Sequence, residues 1–203
     1  ILELLEARSD SSKYKEWRVS LLSMRGDNEK LIELIRSGVV SLEPSGQRFA
    51  EIFFAYCVAL LNENALQEVE SLISEYQQHL DLSAPDILHL FAKVALAAGN
   101  FVQALAYYDQ AIQSTTGRLQ IELRWNRSLA LLAFGNTEEG WREYEVRWKW
   151  ENFTSTALKP NAKLWSGESL EGKSLLIWGE QGVGDEIMFL TLVPSIRELN
   201  PKH

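Results

Sequence analysis

The sequence has little of the chemistry from which metal sites and disulfide frameworks are built. Among its 203 residues stand one cysteine, Cys57, and three histidines, His79, His89 and His203. A lone thiol excludes a disulfide framework and a cysteine-based metal site, and histidines so far apart make no ligand spacing. No metal is expected. No apolar run reaches the length of a membrane span, and no secretory leader is visible. Positive charge is also short. Twenty Lys and Arg stand against 28 Asp and Glu, a net charge of −8, which argues against nucleic acid or an anionic membrane as partner. The deficit is uneven: residues 1–100 hold nine bases and fifteen acids, a balance of −6, and the remainder eleven and thirteen, a balance of −2. No block of like charge marks a disordered tail. These absences point to a reducing, cytoplasmic setting. The first residue is Ile rather than Met, so a cut N-terminus is expected and the missing leader carries less weight.

What is present is a repeat. Hydrophobic residues make up 46% of the chain, enough for one to two domains with cores. "APDILHLFAKVALAAGNFVQALAYYDQAI", from Ala84 to Ile112, carries two apolar stripes at helical spacing, Leu88, Phe91, Ala92 and Ala95, then Ala104, Tyr108 and Ala111. Gly99 and Asn100 stand between them as a helix stop and restart. The same plan recurs 36 residues on around Gly135–Asn136, earlier around 62–64, and earlier still around Gly26–Asp27. Four helix pairs at a near-constant period are the signature of a repeat array.

The third unit resembles the tetratricopeptide repeat at Leu88, Phe91, Ala92, Gly99, Phe101, Ala104, Tyr108 and Ala111. The fourth resembles it at Asn126, Leu131, Gly135 and Tyr144 but has Gly140 where the pattern wants Ala; the first two are degenerate. Small residues belong at such places because two helices cross closely only where Ala or Gly faces the partner. The resemblance covers roughly residues 11–150 and implies a mainly α fold, an αα-superhelix of about four pairs, with "ILELLEA" as the remnant of an earlier repeat. Such stacks curve and leave a concave surface. Its lining should come from the first helix of each pair: Asp86, His89, Lys93 and Leu96, then Glu122, Trp125, Leu129 and Ala133. These residues either hold a protein or peptide partner or are merely packed and solvated. Asn126 occupies the position that forms an asparagine ladder in long sugar-transferase arrays, but Leu90 replaces it one repeat earlier, which interrupts a ladder.

"GWREYEVRWKWENF" follows. Trp141, Tyr144 and Trp148 fall at i, i+3 and i+7, one face of a helix. That face either caps the last repeat or stacks on a sugar ring or nucleobase. Residues 151–172 are rich in Ser, Thr, Pro and Gly and predict a linker, with Lys159–Pro160 extended.

From Lys173 the sequence changes character. Ser174 to Trp178 is a continuous apolar run, expected as a strand buried on both faces. Gly179, Gly182 and Gly184 allow a sharp turn, and Asp185 stands at the entry of an amphipathic helix, where an acid favours the unpaired N–H groups. The spacing is neither the dinucleotide fingerprint nor a P-loop. "GEQGVGDEI" with "LTLVPSIREL" resembles the opening of GT-B glycosyltransferases of the lipopolysaccharide heptosyltransferase type, a Rossmann-like domain that follows tetratricopeptide repeats in bacterial proteins. The resemblance implies a nucleotide-sugar donor for a longer parent protein and no cofactor in this chain. It places the catalytic base at Asp185. Of Glu180, Gln181 and Glu186, one is expected to contact the acceptor hydroxyls, with the loop glycines Gly182 and Gly184 beside the substrate. An inverting transferase needs one carboxylate to take the acceptor hydroxyl's proton, and the same carboxylate can also cap the helix.

The expected organisation is a repeat array over 1–150, a linker over 151–172, and over 173–203 the first strand and helix of a transferase domain. A chain holding one strand and one helix of such a domain has no donor site and is expected to be a piece of a longer protein. Three functions follow in order: an interaction module of a glycosyltransferase-like protein, inactive alone; a stand-alone adaptor whose glycine loop caps the array; and sugar transfer through Asp185 in the parent. Without sheet neighbours, residues 174–178 are expected either to pair with a second copy in a homodimer or to fold back with Ile177, Trp178 and Phe189 against the aromatic hinge.

Overall fold

A computed structural model describes residues 12–151, 153, 155, 163–180 and 182–202, with no account of the side chains of 12 and 13. The described residues are mainly helical, and the chain divides into two compact units, Ile1–Trp150 and Glu151–His203.

The first unit is built from helical hairpins. α1 (Ser12–Arg25) and α2 (Asn28–Arg36) are separated by Gly26 and Asp27; α3 (Phe49–Asn62) and α4 (Leu66–Tyr76) by residues 63–65. α5 (Pro85–Ala97) and α6 (Phe101–Gln113) are separated by 98–100, and α7 (Gly117–Phe134) and α8 (Thr137–Tyr144) by Gly135 and Asn136. The breaks follow from local chemistry. Gly99 and Gly135 take φ of 75° and 90°, a left-handed backbone that costs glycine nothing. Asn100 then restarts the chain by accepting the Gln103 backbone N–H at 3.3 Å, and Pro85 opens α5, where the missing N–H is no loss.

Burial explains why the hairpins stack. α5 is apolar on two sides. Ile87 and Leu90 join a core with Val19, Leu31, Phe53, Leu60 and Val69 from α1 to α4, while Leu88 and Ala92 join a second with Tyr108, Ala111, Leu123 and Ala130 from α6 and α7. Each large apolar side chain removed from water in this way contributes about 1.5–3 kcal/mol. Small residues set the close approaches: Ala92, Ala104 and Ala111 are wholly buried. Gly140 is closer still. A Cβ there would lie 2.7 Å from Cδ2 of Leu132 and 3.1 Å from its backbone N, so α8 can cross α7 at this distance only without a side chain.

After Tyr144 the helix tightens into a 3₁₀ turn, Glu145–Lys149. The expected single face through Trp141, Tyr144 and Trp148 is therefore not formed, because the change of helical pitch takes Trp148 out of register. Arg147, nine-tenths buried, lies instead between rings, 4.8 Å from the centroid of Tyr144 and 4.5 Å from that of Trp148.

The second unit is differently made. Around Glu168 a tight turn is held by Ser166 N–H at 2.8 Å and Lys163 Nζ at 3.0 Å, both donating to its carboxylate, and Leu170 beside it is buried. Glu171 and Pro201 form an isolated antiparallel bridge, and Lys202 N–H donates to the Lys173 carbonyl at 2.7 Å. Residues 174–178, expected as a strand, enter no β-ladder among the described residues. A strand is stable only when a neighbour takes its N–H and C=O groups, and among the described residues the one bridge of this unit is Glu171 to Pro201. α9 (Val183–Leu190) and α10 (Val193–Arg197) follow, neither with a buried residue. Among the described residues no helix is long and apolar enough to cross a membrane, and no cluster of His, Cys, Asp or Glu is placed to hold a metal.

Candidate functional site

The first helices of the third and fourth hairpins carry one mixed face. On α5, Asp86, His89 and Lys93 follow one another at helical spacing; on α7, Glu122, Trp125, Asn126 and Leu129 do. Leu88 and Ala92 of α5 share a core with Leu123 of α7, so the two helices are neighbours.

Lys93 and Glu122 are both half-buried. Burial pushes the Glu122 carboxyl above its usual range, against the pull of Lys93 and Arg118 and with a push from Asp86. Burial likewise lowers Lys93, against the pull of Glu122. In each case desolvation outweighs the attraction. No ion pair joins the two among the described residues, and neither charged end is among the buried polar atoms left without a partner.

The other residues expected on this face divide. His89 does not line it: it is 1% exposed, tilted between Phe54 at 5.4 Å and Tyr108 at 5.9 Å. Burial, then Lys93, holds its imidazole down at about 3, so the ring is neutral, and Nε2 has no hydrogen-bond partner. Asp86 and Leu129 are exposed, Leu129 at 42%. Trp125 is half-buried, its ring centroid 4.7 Å from Tyr144 and 5.2 Å from Trp150. Asn126 turns back on its own helix, donating to the Glu122 carbonyl at 2.9 Å. The face thus runs from opposed charges at Lys93 and Glu122 to an aromatic and aliphatic end at Trp125 and Leu129.

In the C-terminal unit, Gly182 caps α9 with φ of 65°, which demands glycine, and Gly184 lies inside the helix. Asp185 and Glu186 stand exposed in its first turn. Asp185 is the third residue of the helix, which begins at Val183, so it stands in the first turn and the cap position itself is Gly182. Any Cβ at Gly179 would collide with the Glu186 carboxylate. The Glu180 carbonyl accepts from Ser155 Oγ. Gln181 lies outside the described residues.

Two arginines escape sequence reasoning. Arg127 of α7 donates to Asp109 of α6 at 2.7 Å and to Glu139 of α8 at 2.9 Å, and pairs with Glu143. Burial alone would lower its pKa; Glu143 and Glu139 more than offset this and raise it. Arg147 caps the last hairpin through its rings and through Glu145 at 2.7 Å. In sequence both look like ordinary helix-surface charges.

No protein-family profile matches the chain, and no solved structure matches it. Protein FlbA of Caulobacter vibrioides is 35% identical to it over 119 residues, 57% of this chain and 20% of FlbA. The chain thus matches about a fifth of that relative's length.

Proposed function

We propose that the N-terminal unit is a tetratricopeptide-like interaction module that receives a protein segment on the face shared by α5 and α7. The observation that carries this reading is the composition of that face. Two successive first helices present half-buried Lys93, Glu122 and Trp125 and exposed Leu129 in one strip, whereas the other sides of the same helices are finished as core. Helical-repeat stacks use such strips for extended partners. The test is photo-crosslinking from position 129, with position 102 as control, since Val102 of α6 is 71% exposed. Protein adducts at 129 and none at 102 are expected; equal labelling at both sinks the reading.

The C-terminal unit supports a second reading through one feature, the exposed Asp185 in the first turn of a helix entered through a positive-φ glycine. It is the opening of a sugar-transferring domain in a longer glycosyltransferase-like protein, with Asp185 as general base and Glu180, Gln181 and the loop glycines facing the acceptor. The nucleotide-sugar is that reaction's substrate, and no residue of this chain is assigned to it. In the parent protein Asp185→Asn would abolish transfer and leave the fold intact; transfer at the normal rate would reduce Asp185 to a helix-end charge. The alternative of a stand-alone adaptor, with the loop as a cap, predicts instead that deleting 173–203 destabilises the array.

A further inference from the structure

The joint between the first two hairpins is not filled. A groove of about 640 Å³ opens where the end of α3 and the start of α4 meet α2. Ile32, Leu60 and Ala65 form its floor, and Glu29, Glu33 and Glu63 stand exposed around it. The floor is a narrow strip, since Ile32 and Leu60 are 8% and 1% exposed. Such a strip suits the methylene stem of one long side chain and not the ring of an aromatic anchor.

The charge around this groove is one-sided. Glu29 and Glu33 lie four residues apart on α2, so two like charges are neighbours on the helix surface. Neither has an ion pair among the described residues. Arg36 also lines the groove, but it is committed to Glu68 at 2.6 Å. Glu63 accepts from Asn28 Nδ2 at 3.4 Å, a neutral donor at the edge of hydrogen-bond range. The three acids do not converge on a point, since no cluster of His, Cys, Asp or Glu among the described residues is placed to hold a metal. A compact divalent ion therefore does not answer them, whereas a cation with spread charge on an apolar stem does. The acids are particular to this joint. One hairpin on, Ile73, Phe91, Val94 and Tyr107 line a groove of about 340 Å³ with Glu70 as its one acid.

We propose that the groove between α2, α3 and α4 docks an arginine side chain of a basic partner protein segment. The methylenes lie along Ile32 and Leu60, and the guanidinium donates to carboxylates at the rim. Arginine fits better than lysine because its planar fork offers five donors to several oxygens and sheds water more readily than an ammonium. The balance of −6 over residues 1–100 favours a segment that is basic or neutral beside the arginine. This groove shares no lining residue with the face of α5 and α7, and the proposal does not rest on the reading of that face.

The test uses the whole chain and four capped peptides of Gly, Ser and one Leu. They differ only at the centre, which is arginine, lysine, citrulline or norleucine. Binding is followed by the NMR shift of the Ile32 methyls, assigned through Ile32→Val, with the Trp125 indole reporting on the α5–α7 face. The arginine peptide should bind most tightly, about ten-fold above citrulline, which keeps the shape and loses the charge. Glu33→Gln should weaken it several-fold. Glu70→Gln removes an equal charge from the neighbouring groove and should leave it unchanged. The peptide series on the unaltered protein decides the matter even where a variant folds poorly. Equal binding of the arginine and citrulline peptides overturns the role of the carboxylates, and equal binding of the lysine peptide overturns the guanidinium. Equal losses in Glu33→Gln and Glu70→Gln would reduce the effect to diffuse charge and overturn the site. Displacement of the arginine peptide by calcium chloride at the Ile32 methyls would make the occupant a metal ion and overturn it as well. A shift at Trp125 and none at Ile32 would place binding on the other face, and no shift at either with any peptide would leave no site.

Discussion

Both units of this chain carry apolar side chains, and they differ in what those side chains do. In the first, the apolar stripes of α1 to α7 close into two cores that share α5, and Phe53, Leu90, Leu123 and Ala104 are wholly hidden. In the second, Leu176, Ile177, Ile187 and Phe189 remain 57%, 51%, 64% and 44% exposed, and Leu170 is the buried residue among those described. The difference lies in where each pattern finds its partner. A helix satisfies its own backbone and needs only an apolar neighbour, which a hairpin supplies within a few residues of sequence. An apolar strand needs neighbours for its hydrogen bonds as well as for both faces. Residues 174–178 have the composition of such a strand and enter no β-ladder among the described residues.

The sharpest way to break the comparison is to make the first unit behave like the second. Arg127 ties three helices through Asp109, Glu139 and Glu143, and both it and Glu143 keep little exposure, 15% and 13% of their side chains. Arg127→Ala removes the contact that joins the three helices, although Glu143 keeps Arg124 at 3.2 Å and Asp109 and Glu139 are 49% and 43% exposed. A loss of about 2–3 kcal/mol is expected in urea unfolding. Next, with a smaller effect, come the close crossings. Ala104→Leu forces a large side chain into a site with no exposure, and Gly140→Ala drives a Cβ against the Leu132 side chain and backbone. Each should cost about 1–3 kcal/mol. Both should lower the melting temperature without reducing helical content at low temperature. An unchanged melting temperature for Ala104→Leu would mean that the register of the hairpins is wrong.

Gly140 also marks the limit of what is legible in a sequence of this kind. The helix breaks at Gly26–Asp27, Gly99–Asn100 and Gly135–Asn136 are local signals, spelled by stop residues between apolar stripes, and they stand in the structure at those positions. The third hairpin's small residues are legible for the same reason. Gly140 instead looks like a flaw, and only the Leu132 side chain opposite explains it. His89 looks like a groove residue by spacing alone, while Phe54 and Tyr108, distant in sequence, enclose it. The turn from α8 into a 3₁₀ helix after Tyr144 leaves no mark in a periodicity that runs on to Trp148. On the candidate face, Asp86, Lys93, Glu122, Trp125 and Leu129 can be read from helical spacing. That Lys93 and Glu122 fail to pair cannot be, because it depends on the distance between two helices.

His89 sharpens the comparison from inside the core. Its imidazole is held at about 3 against an ordinary 6.5, so the unfolded chain binds a proton that the folded one refuses. Stability from this group is complete above pH 6.5 and falls as pH drops toward 3. Between pH 8 and pH 5 the loss should be about 2 kcal/mol. His89→Phe keeps an aromatic ring between Phe54 and Tyr108, removes the unpartnered Nε2 and abolishes the titration. The variant should therefore gain on the unaltered protein as pH falls, with the gap wider at pH 5 than at pH 8. Parallel pH profiles for the two proteins would show that His89 takes up its proton in the folded state.

The smallest expected effect concerns the second unit and tests whether its apolar surface contributes to folding at all. Leu176 and Ile177 are more than half exposed, and neither lies in a regular element. Replacing both with Ser removes little buried area, so the unfolding free energy of the dilute chain should move by less than about 0.5 kcal/mol. The same replacement takes two apolar side chains from the run that would pair with a second copy. If residues 174–178 join two chains, the unaltered protein shows a concentration-dependent mass by light scattering, and the double variant stays at the mass of one chain. If the replacement instead lowers the stability of dilute monomer by as much as Ala104→Leu does, these side chains are core residues, and the contrast drawn between the two units fails.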